Sequence, residues 1–379
     1  MSTIRIGVVG LSKSGGWAGN GLAPPLFSEP LKSQYTLSAL STSSESSATA
    51  SAEHFGKLAG TTVRAYHGST EAIAQDETLD LVAVSVKPPS HRETLLPLLE
   101  KGRNVYIEWP AGDTIEETKE FVAKAQEKGV RTLVGLQGWQ TPAVKRIREI
   151  IASGTIGNII NVTWIATKTS PPPLWTPFIQ SYAAFLADPN QGANFTNVWL
   201  GHNLSLITRA LGPLSSLSAV GSIGVPIIKV GESPEDPNAK DVQAKVPDQY
   251  SVSGVFESGA LFSGSWRTLP MATTNTAPTL LWLIEGSKGQ LRVEVGAEQP
   301  GGSFPQIWLP SALFVNGEKI ELQEENEQLG GNTGRAWAEY ARGEDGQYPT
   351  LEDALLLRKH VEAIKKSMVE GIRVSVNEL

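Results

Sequence analysis

The chain begins with an apolar run, Ile4, Ile6, Val8 and Val9, that stops at Gly10 and gives way to Gly10-Leu-Ser-Lys-Ser-Gly-Gly-Trp-Ala18. Apolar, mostly β-branched residues followed at once by glycines predict a buried strand, a tight turn and a helix. Alternation over 35–41 predicts a second strand, and the Ser/Thr/Ala-rich stretch up to Ala52 a loop and helix. Val63 to His67, the continuous apolar run Leu79 to Val86, Asn104 to Glu108 and Val130 to Leu136 read as further strands. Ser69 to Gln75, His91 to Lys101 and Thr114 to Lys128 read as helices, the last with an acidic first turn. Strands alternating with helices over the first ~140 residues, one strand apolar throughout, call for an open parallel sheet with right-handed crossovers.

Beyond Gln137 the pattern changes. A helix is expected over Ala143 to Ala152, a strand over Ile159 to Ala166, a loop carrying Pro171-Pro-Pro173, Trp175 and Pro177, and a helix over Asn197 to Leu211. Short runs follow at 216–223, 249–256, 260–267, 279–285 and 289–294, with Glu257-Ser-Gly259 as a hairpin turn. Consecutive strands without intervening helices imply an antiparallel sheet. Residues 231–241 form an acidic loop, and Thr350-Leu-Glu-Asp353 is a capping box opening an amphipathic helix to Val369. The fold class expected is α/β: a Rossmann parallel-sheet domain over 1–138 and an α+β domain with a mostly antiparallel open sheet over 139–348. A C-terminal helix and tail, 349–379, is expected to return and pack near the first domain. There is no internal repeat.

Length and composition narrow the function classes. At 379 residues two domains are expected. No apolar run approaches the roughly 18–20 residues needed to span a bilayer, and no basic segment precedes an apolar stretch and a cleavage site at the start. A net charge of −7 without a basic stripe speaks against nucleic acid as a partner. The absence of cysteine removes disulfides, thiolate ligands and cysteine nucleophiles, and suits a cytoplasmic protein. Five scattered histidines give no metal-ligand spacing. Glycines between a strand and a helix suit a pyrophosphate, because backbone N–H groups approach it closely there; the spacing here departs from G-x-G-x-x-G, with four residues between Gly10 and Gly15.

Several stretches together resemble the glucose–fructose oxidoreductase / inositol dehydrogenase (GFO/IDH/MocA) family over nearly the whole chain. They are the glycine loop, Val84-Ser-Val-Lys-Pro-Pro-Ser-His91, Glu108-Trp-Pro110, Gly201-His202, Ile284-Glu-Gly-Ser-Lys-Gly-Gln-Leu291 and Pro349-Thr-Leu-Glu-Asp-Ala354. The glycine loop, Glu108-Trp109 and Val134-Gly-Leu-Gln-Gly138 are most similar to the branch of fungal galactose-regulon repressors. The resemblance implies a nicotinamide cofactor contacted by Gly10, Ser12, Lys13, Gly15, Gly16 and Trp17, by Val86, Lys87 and His91, and by Glu108, Trp109 and Gln137. It also implies a dimer joined through the open sheet face. Two departures matter: the enzymes' Glu-Lys-Pro is Glu108-Trp109-Pro110 here, and the aspartate they place four residues before the histidine is Val198.

The expected activity is hydride transfer between NAD(P) and a carbonyl or alcohol of a small or medium organic substrate, sugar-like or aromatic and polyketide-like. The alternative is a non-catalytic, NAD(P)-sensing regulatory protein. His202 is the first candidate for proton exchange, with an unperturbed pKa of about 6.5. Lys168 and Tyr182, in the proline-rich loop region, are candidates to replace the missing lysine, and Trp139, Trp175, Trp199 and Asn203 to line the substrate. The second strand ends in Ser41, Thr42 and Ser43 rather than Asp or Glu. A carboxylate there would accept from the ribose hydroxyls and repel a 2′-phosphate, so NADP(H) is expected over NAD(H), with Lys13 or Arg64 nearby.

Overall fold

The computed structural model describes residues 3–168, 177–269, 278–296, 312–322 and 330–379. It divides into two compact units, Met1–Gln140 with Glu325–Leu355, and Thr141–Glu324 with Leu356–Leu379.

The first unit holds β1 (Ile4–Val9), β2 (Tyr35–Thr42), α1 (Glu45–Ala59), β3 (Arg64–His67), α2 (Glu71–Ala74), β4 (Leu81–Val84), α3 (His91–Glu100), β5 (Val105–Ile107), α4 (Ile115–Lys128) and β6 (Thr132–Val134). All six strands are parallel, in the order β3-β2-β1-β4-β5-β6. This is the doubly wound order, with its reversal between β1 and β4. Local chemistry sets the helix ends. Ser44 and Thr114 cap α1 and α4 by accepting from Ser47 and Glu117 N–H, and Gly60 and Gly129 close the same helices in the left-handed conformation. One expectation fails. No regular helix follows the glycine loop; a five-residue π turn, Ala18–Leu22, runs into a 3-10 turn, Pro24–Phe27. Pro24 and Pro25 lack the N–H groups that would continue a helix.

The second unit begins with α5 (Pro142–Ala152), β7 (Ile159–Lys168), β8 (Phe178–Gln180), α6 (Gly201–Leu211), β9 (Leu214–Ser222), β10 (Ile227–Gly231) and β11 (Lys240–Gln243). It continues with β12 (Gln249–Phe256), β13 (Leu261–Thr268), β14 (Leu280–Gly286), β15 (Gly289–Val295), β16 (Ala312–Val315) and β17 (Glu318–Ile320). The chain then returns to the first unit with α7 (Gly331–Ala341), and α8 (Leu351–Glu370) leads to β18 (Val374–Ser375). Nine strands form one sheet, β17-β16-β15-β14-β7-β13-β12-β9-β18, antiparallel except where β7 meets β13. The even-numbered residues of β7 from Val162, of β13 and of β14 before Gly286 are buried, so one face of this sheet is covered. The acidic 231–241 loop joins β10 to β11, which with β8 make a small separate sheet.

The expected domain limits shift accordingly. Residues 330–348 go with the first unit rather than with the second sheet, because α7 is anchored there: buried Trp337 packs on Tyr35 and Tyr106 at 5.6 and 5.0 Å and donates its indole N–H to Leu22 O. Val134 N–H donates to Pro349 O and Leu351 N–H to Thr132 Oγ1. Only the first residues of α8 belong to that unit. The rest goes with the nine-stranded sheet, where His360 accepts from Leu214 N–H and Val374 pairs with Leu217, so the expected return of the whole tail to the first domain is corrected.

Candidate functional site

In the first unit the sequence-predicted cofactor residues gather at the carboxyl ends of β1, β2, β4 and β5. A Cβ on Gly10 would collide with the Ser85 carbonyl, and its φ is 90°, so only glycine lets β1 turn beside the end of β4. Gly15 and Gly16 have φ of 108° and 105°, with nothing within 4 Å of where a Cβ would stand. These glycines form a turn with open space above it, which fits a pyrophosphate. Part of the loop is closed on itself: Lys13 N–H donates to Ser51 Oγ, Ser14 N–H to Ser12 Oγ and Gly15 N–H to Ser12 O. With only a five-residue π turn after the loop, the expected helix dipole is absent, and the positive-φ glycine backbone carries the fit.

At the end of β2, Ser41 and Thr42 are buried and Thr42 donates to Ser44 O, while Ser43 and Ser44 are exposed. The Ser41 hydroxyl is buried without a partner. Exposure therefore moves any contact with a 2′-phosphate from Ser41 and Thr42 to Ser43 and Ser44. Arg64 is not available for it, since its guanidinium is paired with Asp76 at 2.6 Å and donates to Thr78. His91 is also corrected: it is fully buried, its ring nitrogens 2.9 and 3.0 Å from the Ala111 and Val86 carbonyls, a brace between the loops after β4 and β5. Lys87 is exposed and Val86 half-buried on the same turn.

Glu108, just beyond β5, is held by three side-chain donors. Its Oε1 accepts from Tyr106 Oη at 2.6 Å and from Trp17 Nε1 at 2.7 Å, and Gln137 Nε2 lies 3.5 Å from Oε2. A Cβ on Gly135 would strike this carboxylate and approach the Tyr106 hydroxyl within 2.7 Å, so that glycine makes room for the pair. Burial pushes the Glu108 carboxyl up to about 7, against the three donors, which favour its charged form. The Trp17 ring lies against Gly21, where a Cβ would meet it at 2.5–2.7 Å. Trp109 is buried, and Trp139 is partly exposed on the turn Gln137–Gln140. Tyr106 was not among the sequence candidates, although two residues upstream of Glu108 is the spacing that shares a strand face.

In the second unit Lys168 stands on the last position of β7, not in a loop as expected, and is completely buried. Burial lowers its pKa from 10.5 to about 7. It pairs in register with Thr268 on β13, one step beyond the Ala166 and Trp266 pair, on the covered face of the sheet. The Trp266 indole donates to Asn203 Oδ1 at 3.1 Å, which places the first turn of α6 over that face. His202, the neighbour of Asn203, is buried and pushed down to about 4 by burial. Three side-chain atoms here are buried without a partner: His202 Nδ1, Asn203 Nδ2 and Thr268 Oγ1. Lys168 thus shares a register pair with Thr268, which no sequence motif flagged, and Asn203, with His202 beside it in the chain, is tied through Trp266 to the same sheet face. Tyr182 is 63% exposed on a 3-10 turn, away from any such environment, and Trp199 is a core residue stacked on Phe195 at 4.8 Å. Trp175 and the triple proline lie outside the described residues. Among the described residues no cluster of His, Asp and Glu is placed to hold a metal, and no helix is long and apolar enough to cross a membrane.

Residues 4–136 match the model of an oxidoreductase family with an NAD-binding Rossmann fold, and residues 142–295 that of the Gal80p C-terminal domain. The dehydrogenase aclE of Aspergillus oryzae is 29% identical over 97% of this chain and 97% of its own. Trans-1,2-dihydrobenzene-1,2-diol dehydrogenase of Bos taurus is 30% identical over 68% of this chain and 64% of its own. In three dimensions the chain is similar to a super-repressor mutant of Gal80p from Saccharomyces cerevisiae, with a TM-score of 0.85 and 23% identity over 99% of this chain and 98% of the other. With a nucleotide-binding half and a second half of these kinds, in this order, the chain belongs to the GFO/IDH/MocA oxidoreductase family, close to its Gal80-like branch.

Proposed function

We propose that this protein is an NAD(P)-dependent oxidoreductase acting on an alcohol or carbonyl group of a small or medium-sized organic substrate. The observation that carries the reading is the open glycine turn at the reversal of the first sheet, where ligands of doubly wound folds bind. Bound there, the nicotinamide dinucleotide would supply or accept the hydride. Gly15 and Gly16 let the backbone approach its pyrophosphate, and Ser43 and Ser44, just past a second strand that ends without Asp or Glu, receive a 2′-phosphate, so NADP(H) is favoured over NAD(H). The substrate's proton is handled by the second unit, which holds Lys168 and His202. Two dehydrogenases among the relatives support catalysis, and the cyclohexadiene diol named for one of them favours a small, weakly polar ring substrate over a sugar. A cytoplasmic homodimer joined through the outer face of the nine-stranded sheet completes the proposal; Ile160, Val220 and Leu261 of that sheet are exposed.

A second reading, an NAD(P)-sensing regulatory protein, draws support from Trp109, which stands where the enzymes of the family carry lysine, and from the likeness to Gal80p. Titration with NADPH and NADH, followed by a turnover screen of sugars, aromatic ketones and dihydrodiols, separates the two. Turnover supports the oxidoreductase; tight NADPH binding with no turnover on any of them supports the sensor. Gly15→Val is expected to weaken NADPH binding by about 10- to 100-fold, because it strains a positive φ and fills the open turn. Unchanged affinity in that variant would remove the glycine turn as the cofactor site.

A further inference from the structure

We infer that Lys168 is the residue that carries the substrate's proton, with His202 and Asn203 acting as neutral hydrogen-bonding groups that orient the reacting oxygen. The inference rests on the oxidoreductase reading above. Its basis is position. Lys168 ends β7 on the covered face, paired with Thr268, and the Trp266 to Asn203 hydrogen bond fixes the first turn of α6 over the same face. Three partnerless polar atoms, on Thr268, Asn203 and His202, belong to this end of the unit. Buried polar groups without partners cost free energy, so together with a buried amine they describe a place that a polar ligand atom completes.

Which of the two bases moves the proton follows from their environments. Burial lowers His202 to about 4, so at pH 7 only on the order of one imidazole in a thousand is protonated, too few to return a proton to a carbonyl oxygen. Lys168, lowered to about 7, is balanced between amine and ammonium and serves both directions. Among the described residues, two charged groups close to it in register are engaged elsewhere. Arg267 donates to Thr167 Oγ1, both on the positions facing away, and the Asp248 carboxylate next to the Thr268 backbone accepts from Gly224 and Val225 N–H. In oxidation, the substrate O–H proton passes to the Lys168 amine, which becomes an ammonium. An oxidised nicotinamide dinucleotide, when bound, would take up the hydrogen with the C–H electron pair as hydride, and the C–O bond would become a carbonyl. Reduction reverses each transfer.

The test uses the full chain labelled with lysine carrying 13C at Cε. The Lys168 signal, assigned by its loss in Lys168→Met, should titrate with a midpoint near 7, and kcat/KM for alcohol oxidation should rise with pH through the same midpoint. Lys168→Met should lower kcat by about 10²–10⁴-fold with NADPH affinity within about twofold. Lys168→Ala should regain turnover in propylamine, whereas His202→Asn should raise KM more than it lowers kcat and keep the pH midpoint. Should Lys168→Met melt early, the 13C titration and the amine rescue still decide. An amine midpoint above about 9 with turnover intact, or full turnover in a folded Lys168→Met, would overturn this assignment alone. Absence of turnover in the unaltered protein beside NADPH binding would overturn the oxidoreductase reading with it.

Discussion

Each unit buries one ionisable side chain that ends near neutrality, and the two are surrounded in opposite ways. Glu108 lies among donors supplied by the protein itself, Tyr106, Trp17 and Gln137. Lys168 lies on a sheet face beside Thr268 and under the first turn of α6, where Thr268, Asn203 and His202 each hold a polar atom with no partner. The first arrangement is supplied with donors and ties the glycine loop to β5, with Gln137 Oε1 left over; the second has unpartnered groups around the amine. The first positions a loop, whereas the second offers polar atoms to a ligand.

The two groups also respond to pH with opposite signs, which offers the sharpest way to test the contrast. Lys168 has a folded pKa of about 7, below its ordinary 10.5. The unfolded chain therefore holds the extra proton between these values, and stability rises with pH across that window. Relative to Lys168→Met, the unaltered protein should gain about 3 kcal/mol between pH 7 and 9.5 in urea unfolding. A flat difference would mean that the amine is solvated. Glu108 runs the other way. Its folded pKa of about 7 exceeds the unfolded 4.5, so its favourable contribution is full below 4.5 and is lost as pH rises through 7. Against Glu108→Gln, the unaltered protein should lose about 2 kcal/mol between pH 5 and 7.5. A loss on acidification instead would show that the donors outweigh burial.

Two smaller effects bear on each unit's surface. Ser43→Asp puts a carboxylate at the exposed end of β2 and should shift the NADPH to NADH affinity ratio about tenfold toward NADH. An unchanged ratio would show that the 2′-phosphate is bound elsewhere. Tyr182→Phe should leave stability within about 0.5 kcal/mol and turnover unaltered, since the ring is exposed. A large fall in kcat would return Tyr182 to the catalytic set.

The sequence made the first sheet legible strand by strand, because fully apolar runs such as Leu81 to Val84 and helices capped by Thr114 or closed by Gly129 carry their structure locally. Six strands of the nine-stranded sheet were readable in the sequence, but short strands such as Glu318–Ile320 there, or Lys240–Gln243 of the small sheet, have no apolar periodicity to announce them. Glycine positions pointed correctly to the turn at Gly10, yet Pro24 and Pro25 should have ruled out the helix after it. Residue type alone could not tell which serines at the end of β2 are exposed, or that Lys168 is buried on a strand face, since both depend on covering elements distant in sequence. Tyr182 and Trp199 show the same limit: a chemically able side chain is a site residue only where the fold gives it a partial, specific environment.

The return of α7 has a consequence for the order in which the molecule is made. Trp337 fills the space between Tyr35, Tyr106 and Leu22, and the guanidinium of Arg131 donates to Tyr340 O and the Tyr348 hydroxyl while lying 4.0 Å over the Tyr340 ring. A ribosome that has finished β6 has therefore not yet made the side chains that complete the parallel sheet's core, and must add about 200 more residues, some 10–40 s of synthesis. During that interval the nucleotide-binding unit waits with its aromatic seam open, and a chain cut after residue 140 would lack the side chains that close it.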